Sequence, residues 1–319
     1  MSRASDRRRG RAPRGLLPVA GAIAVGVLTA IQSRLNGGLG AAIDDAIVAA
    51  VISFGSGFLI MAVAISALPS GRAAAARLRR GLRGGDIPWW IMIGGAAGAL
   101  TVGSQGLVVG VIGTAMFTVG VVAGQTLSGL ALDRAGYSPA GVTAVTLPRL
   151  VGVAFALAAV AFSLTGGTVG RVPLWMLLLP VLVGAGLAWQ QATNGRLQRK
   201  VGSAMAATFV NFVGGTVVLG VIALARIQVT HLRAFPPEPW LYLGGATGVV
   251  YIALSAALAP RIGVLLLTLG SVLGMLIGSF VLDLVWPPAV PPSPWRSAVT
   301  VLVACAGVAI AALPGARRR

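Results

Sequence analysis

The sequence predicts an all-α polytopic membrane protein, with ten transmembrane helices arranged as two inverted five-helix repeats. Three observations carry this reading. The chain has 319 residues, of which 56% are hydrophobic and only 10% charged, and its mean hydropathy is +0.90. A soluble domain carries about 25% charged residues, so this chain has too little polar surface to cover a globule in water. Apolar runs of helix-spanning length follow one another from end to end. The two halves also resemble each other in sequence.

A spanning helix needs about 20 apolar residues. Ten segments fit: 16–35, 46–68, 89–109, 114–132, 147–166, 173–192, 203–224, 240–258, 263–283 and 296–314. The connections between them are short and rich in Gly, Pro and Arg, and 69–88 reads as an arginine-rich connection. The organisation is a basic tail (1–15), a first repeat (16–166), a second repeat (173–314) and a basic end (315–319). The basic start followed by an apolar run resembles a signal peptide, but the further spans favour an uncleaved first helix.

Orientation follows from basic residues, which concentrate on the cytoplasmic side. With both termini in the cytoplasm, the inner segments hold the six front arginines and Arg72, Arg77, Arg79, Arg80 and Arg83. They also hold Arg134, Arg149, Arg196, Arg199, Lys200, Arg261 and the last three arginines. The outer segments hold only Arg34, Arg171, Arg226, Arg233 and Arg296. Lys200 is the single lysine. Arginine over lysine, with abundant Ala, Gly and Val, indicates a GC-rich bacterial genome and hence the bacterial plasma (inner) membrane. The formal charge of +18 sits in tails and loops, which excludes a nucleic-acid surface.

The repeat is visible residue by residue. Gln32, Asn36 and Gly37 match Gln190, Asn194 and Gly195 at an offset of 158 positions, which also pairs Phe54 with Phe212 and Gly57 with Gly215. At an offset of 150, Trp90 meets Trp240, Gly113 meets Gly263, Thr118 meets Thr268, Gly124 meets Gly274 and Asp133 meets Asp283. At 147, Arg149 meets Arg296. Shared composition does not explain Gln, Asn, Trp, Asp and Arg pairing in order. Five spans per repeat is odd, so the second copy enters the membrane from the opposite side, an architecture typical of alternating-access transporters.

The motif QSRLNGGLG followed by AAVISFGSG, with its second copy QQATNGRLQRKVGSAMAATFVNFVGG, resembles the YdcZ-type family of small inner-membrane proteins. That family lies in the drug/metabolite transporter superfamily, whose larger members are EamA-like ten-helix transporters. The resemblance covers about residues 16–314 and looks like two family units fused. It implies the ten-helix inverted-repeat fold and the movement of small metabolites, and it names no substrate. The acidic first-helix residue of small multidrug exporters in the same superfamily is absent, which argues against proton-coupled export of cations.

Candidate site residues are polar groups at membrane depth, which are costly unless they face protein or water. Gln32 and Asn36 lie four apart, on one helical face, and Gln190 and Asn194 repeat the pair. Two roles fit: lining a solute pathway, or, for the Asn-Gly steps, the left-handed turn that ends a helix. Asn36 and Asn194 are therefore helix-end or gate candidates. Gln105 and Gln125 have Ser255 and Met275 as repeat counterparts, an asymmetry expected where an asymmetric solute is held. An interhelical hydrogen bond is the plainer alternative. Asn211, which replaces Ser53, is a further lining candidate. Tyr251 joins Trp189 as an aromatic wall for a flat or cationic ligand, although Trp189 also reads as an interface anchor. Asp133 with Arg149, and Asp283 with Arg296, read as structural ion pairs at helix ends; the sharper alternative is a proton-coupling carboxylate.

The exclusions are broad. Cys305 is the one cysteine and reads as a small core residue; His231 is the one histidine, in a polar loop. No metal site, cofactor or phosphate-binding loop is expected, and hydrolytic or metal-dependent enzymes lack their residues. The expected partners are a small-molecule substrate and the lipid bilayer, with no nucleic acid and a monomer or homodimer as the assembly. The expected function is a secondary transporter that exports small organic metabolites. A passive channel, a lipid flippase or a structural membrane subunit are the alternatives on the same fold.

Overall fold

The computed structural model describes residues 16–143, 145–163, 174–227, 233–286 and 294–313. His231 lies outside them, and the side chains of Gln105, Asp283 and Arg296 lie outside the described set. The described residues are helical, with no strand among them. In order they form α1 (Leu16–Ile43), α2 (Ala46–Ala67), α3 (Pro69–Arg83), a short 3-10 helix (Trp89–Gly94) leading into α4 (Gly95–Arg134), and α5 (Leu147–Ser163). Then come α6 (Leu174–Val201), α7 (Ala204–Ala225), a second 3-10 helix (Pro239–Leu243) leading into α8 (Gly244–Val285), and α9 (Pro294–Ala312).

Five helical segments are long and apolar enough to cross a membrane: Leu16–Ile43, Ala46–Ala67, Leu174–Val201, Ala204–Ala225 and Pro239–Leu282. Shorter apolar helices accompany them at Trp89–Thr101, Leu147–Ala159 and Ala298–Ala312. Their outer faces are apolar, as at Leu59, Val63, Val217 and Val221, each more than half exposed. Such a surface belongs in lipid.

Local chemistry sets the helix ends. Asp45 caps α2 by accepting the Ile47 and Val48 amides at 2.8 and 3.0 Å, and Ser203 caps α7 by accepting from Ala206. The residues just before these caps are left-handed: Asp44 with φ 63° and Gly202 with φ 67°. Asp is one of the few side chains that visit this region. Asn36 and Asn194 therefore do not end helices, contrary to the turn expected from their Asn-Gly steps. α1 runs on to Ile43 and α6 to Val201, because the left-handed turns fall at Asp44 and Gly202 instead.

The two longest helices each fold back. Drawn straight, the 40 residues of α4 would extend about 60 Å at 1.5 Å per residue. Yet Trp90, just before α4, has its ring centre 5.9 Å from that of Tyr137, just after it. In α8 the reversal is at Gly263, whose φ of 79° and ψ of 169° suit glycine alone. Before it, α8 runs antiparallel to α1, with Gly244 against Asn36, Gly248 against Gln32 and Leu258 against Gly21. After it, α8 runs parallel to α1, with Gly270 against Ala22 and Gly278 against Ala30.

Asp133 pins the α8 reversal. It is fully buried. Its carboxylate accepts the backbone amides of Val264 and Leu265 at 2.9 and 3.3 Å and lies 3.4 Å from an Arg149 nitrogen. It thus caps the returning arm of α8 from the end of α4.

Reciprocal contacts tie the halves together. A Cβ on Gly26 would stand 1.9 Å from the Ser271 carbonyl oxygen; at the matching place in the other half, one on Gly184 would stand 2.0 Å from that of Val121. Gly274 against Ile23 and Gly124 against Val181 repeat the pattern, both at 1.9 Å. α2 and α7, counterparts in the repeat, cross antiparallel: Phe58 stacks on Phe209, Phe54 packs on Phe212, and Gly57 and Gly215 meet Phe212 and Phe54 in turn.

Two further expectations change. Residues 69–88 are not merely a connection. α3 buries Gly71, Ala74 and Leu78, the last two packed with Leu197, Val201 and Ala206 of the second half, and keeps its arginines on the exposed side. The helix forms because alanines and arginines favour it and one face finds an apolar partner. Cys305 is exposed on α9 rather than in the core, on a face open to lipid.

Alanine at Gly26 or Gly184 should lower thermal stability in detergent by about 1–3 kcal/mol, since the neighbour is backbone and has no rotamer to yield. Alanine at Gly55 or Gly220, where nothing lies within 4 Å, should leave the melting temperature unchanged or raise it. Asp133→Ala strands two buried amides and removes one carboxylate partner of Arg149, and should cost about 3–5 kcal/mol in the same assay.

Candidate functional site: a polar seam between the halves

The seam is laid out along the first turns of α4 and α8. A Cβ on Gly94 would meet the Asn194 side-chain oxygen at 3.0 Å, and one on Gly95 the Asn211 carbonyl oxygen at 2.0 Å. One turn on, Gly98 meets Phe54 at 2.9 Å and Gln190 at 3.8 Å. The other half repeats this order. Gly244 meets Asn36, Gly245 the Ser53 carbonyl, and Gly248 both Gln32 and Phe212. The rings of Phe54 and Phe212 join the two series, with centres 5.5 Å apart. The result is a polar–aromatic–polar sequence: Asn194 and Asn211, then Gln190 beside Phe54, then Phe212 beside Gln32, then Asn36 and Ser53.

Glycine is what lets amide side chains reach this seam. A Cβ at Gly94, Gly95, Gly244, Gly245 or Gly248 would press on the other half, and one at Gly98 on the Phe54 ring. The amides come from the helical i, i+4 pairs on α1 and α6, which place Gln and Asn on one face.

The two polar ends differ. In the second half, Asn211 accepts from Gln190 at 2.8 Å and from Asn194 at 3.0 Å. All three are buried. In the first half, Gln32 instead donates to the Gly244 carbonyl oxygen at 2.9 Å, and Ser53 is too short to gather both amides. Four buried polar atoms of the seam have no hydrogen-bond partner among the described residues: Gln190 Oε1, Asn211 Nδ2, Asn36 Oδ1 and Ser53 Oγ. Each such atom typically costs about 1–3 kcal/mol. Buried polar atoms of this kind are met by an ordered water or by a bound molecule.

The remaining candidates separate. Gln125 is buried on α4, beside the contact of Gly184 with that helix, and away from the amide series. Tyr251 is partly buried, against the cluster that includes Phe54 and Phe212. Asp133 and Arg149 belong to the α8 reversal and not to the seam. Gln105 falls on α4, and its side chain, like those of Asp283 and Arg296, lies outside the described residues. No group of three or more His, Cys, Asp or Glu gathers among the described residues.

Sequence reasoning did not assign roles to Ser53, Phe54 and Phe212. The signal was present, since the offset of 158 pairs all three with residues of matching place. What it lacked was the knowledge that α2 and α7 cross at that point.

Beyond the amides, one end of the molecule carries further ties between the halves. Tyr137 bonds Thr193 through its hydroxyl at 3.0 Å and lies under the Arg196 guanidinium at 4.2 Å. Arg196 donates to the Gly136 carbonyl oxygen, Arg199 to that of Pro139 and Arg77 to that of Val201. At the opposite end Arg226 approaches Asp45 at 3.4 Å, and Arg34 reaches the Trp286 carbonyl and ring.

Comparison with known proteins agrees with this fold. A crystal structure described as "Crystal structure of protein" is similar over 95% of this chain and 97% of its own, with a TM-score of 0.60 and 17% identity. At that identity the likeness concerns the fold. No curated protein matches the sequence. The family model described as "Putative inner membrane exporter, YdcZ" matches twice, over residues 17–162 and 175–310. Two matches that together span most of the chain, one for each half of the seam, show that this multi-pass membrane protein belongs to the YdcZ family.

Proposed function

We propose that the chain is a secondary transporter that exports small organic metabolites across the bacterial inner membrane. It works by alternating access between two inverted five-helix repeats. Ten crossings are counted by taking each arm of α4 and α8 as one span, with both termini in the cytoplasm. The transporter role at its coarser level follows from the family.

The observation that supports the mechanism best is the reciprocal seam. α2 and α7 are repeat counterparts and run antiparallel through the Phe54–Phe212 contact. A two-fold relation of that kind gives two mutually exclusive openings of similar energy, one toward each face. The polar groups at the seam are those a solute needs during transit. Contacts between the halves flank the seam, through Tyr137, Arg196 and Arg77 at one end and Asp45, Arg226 and Arg34 at the other, and they are the candidates for closing it.

Gln32, Gln190 and Asn211 are the lining residues we assign, with Asn36 and Asn194 as gates and Tyr251 beside the aromatic pair. Gln105 and Gln125 are assigned to the pathway on the ground of their asymmetry between the repeats. The ion pair of Asp133 and Arg149 is structural, and the same role is proposed for Asp283 with Arg296.

Alanine at Gln190 should cut proteoliposome flux at least about tenfold, the equivalent of one lost hydrogen bond of 1.4 kcal/mol, while the melting temperature stays near wild type because Asn194 still donates to Asn211. Alanine at Gln105 or Gln125 should also reduce flux, and normal flux in both would remove them from the pathway. A topology reporter should place residues 36–45 and 194–202 on opposite faces of the membrane. A shared face would defeat the inverted arrangement.

A further inference from the structure

We infer that the solute moved along this seam carries no charge, and that it offers hydrogen-bonding groups on either side of an apolar middle. The inference rests on the transport reading above and specifies its cargo.

The first ground is the placement of every acid in the chain. Only seven Asp and Glu residues exist. Asp6 is in the N-terminal tail. Asp45 caps the start of α2 and faces Arg226, and Asp44, just before it, faces Arg233. Asp86 follows α3, Glu238 precedes the second 3-10 helix, and Asp283 falls near the end of α8. Asp133 is occupied by two amides and Arg149 at the α8 reversal. Among the acids whose side chains are described, none belongs to the seam. The basic residues nearest to it, Arg34 and Arg196, are turned to backbone carbonyls and aromatic rings at its two ends. The stretch 105–119 contains no charged residue. A charged solute would leave water for a path that offers no counter-charge, and neutral amides compensate an ion only in part.

The second ground is the set of unpartnered atoms. Gln190 Oε1 and Asn36 Oδ1 accept, Asn211 Nδ2 donates, and Ser53 Oγ does either. They sit at both ends of the series, with Phe54 and Phe212 between them. An uncharged molecule with N–H or O–H groups and carbonyl or hydroxyl oxygens satisfies these atoms without any proton or ion in company.

The test uses the full chain in proteoliposomes and a solute set divided by charge. It includes three pyridines that share a ring: nicotinamide (neutral), nicotinate (anionic) and 1-methylnicotinamide (cationic). The wider set adds neutral nucleosides and polyols, carboxylates, amines and amino acids, each with and without a pH gradient. Accelerated flux confined to uncharged solutes, with no charge displacement on a solid-supported membrane, supports the inference. Accelerated flux of a charged solute overturns it and leaves the transport reading standing. No acceleration of any solute overturns the transport reading and the cargo inference together. A second arm uses Asn211→Asp, which keeps an acceptor for Gln190 and Asn194, with thermal unfolding as the folding control. It should lower the flux of the neutral solute at least tenfold. Unchanged neutral flux in a folded Asn211→Asp protein would remove the seam as the place where the cargo is read.

Discussion

Backbone-to-backbone contact at glycine is the constraint on which the molecule depends. In lipid no hydrophobic force drives helices together, so association rests on close packing and on hydrogen bonds between helices. Gly26 and Gly274 bring α1 against the returning arm of α8, and Gly184 and Gly124 do the same for α6 and α4. Each of these contacts joins a helix of one half to a helix of the other. They fix where α1 and α6 lie, and so where Gln32, Asn36, Gln190 and Asn194 point. The polar seam is a consequence of the glycine contacts, as are the reversals that return α4 and α8 along their partners.

The second constraint is polar satisfaction. Asp133 shows it at its most complete, with two amides and a guanidinium around one buried carboxylate. The cap holds a turn whose backbone only glycine adopts, and it ties the end of α4 to the middle of α8. The seam shows the opposite case. Asn211 gathers Gln190 and Asn194 into one network, while Ser53 leaves Asn36 without a matching partner. A symmetric scaffold thus carries an asymmetric set of hydrogen-bonding atoms. Rigid packing and unfilled polar valence lie side by side.

A further asymmetry lies at one end of the bundle. α3 belongs to the first half but packs across the α6–α7 turn of the second, through Ala74 and Leu78. Arg77 reaches the Val201 carbonyl oxygen, and Lys200 reaches that of Asp86. With Tyr137, Arg196 and Arg199 these form a layer of polar ties outside the apolar core. Arginine suits the place, since its long stem packs on apolar surface while its head remains at the wet end.

Composition and hydropathy alone established a helical membrane protein, because unbroken apolar runs of about 20 residues satisfy their backbone in lipid as helices, whereas a barrel strand would be half as long. The repeat offsets established which residues are counterparts, since a fold used twice keeps the same residue at the same contact. They named Gln32, Gln190, Asn36, Asn194 and Asn211 without showing what these touch. Sequence reasoning placed helix ends at Asn36 and Asn194, and it read 69–88 as a connection. Both readings failed for the same reason. A local propensity competes with contacts that come from far along the chain, and Asp44, Gly202 and the apolar turn at Val201 outweighed it. Only the tertiary structure decided that Phe54 meets Phe212, that Asp133 caps a helix some 130 residues later, and that four polar atoms in the seam go unpartnered. Those facts depend on how helices cross, and crossing is fixed by the shapes of two surfaces together, which no single stretch of sequence contains.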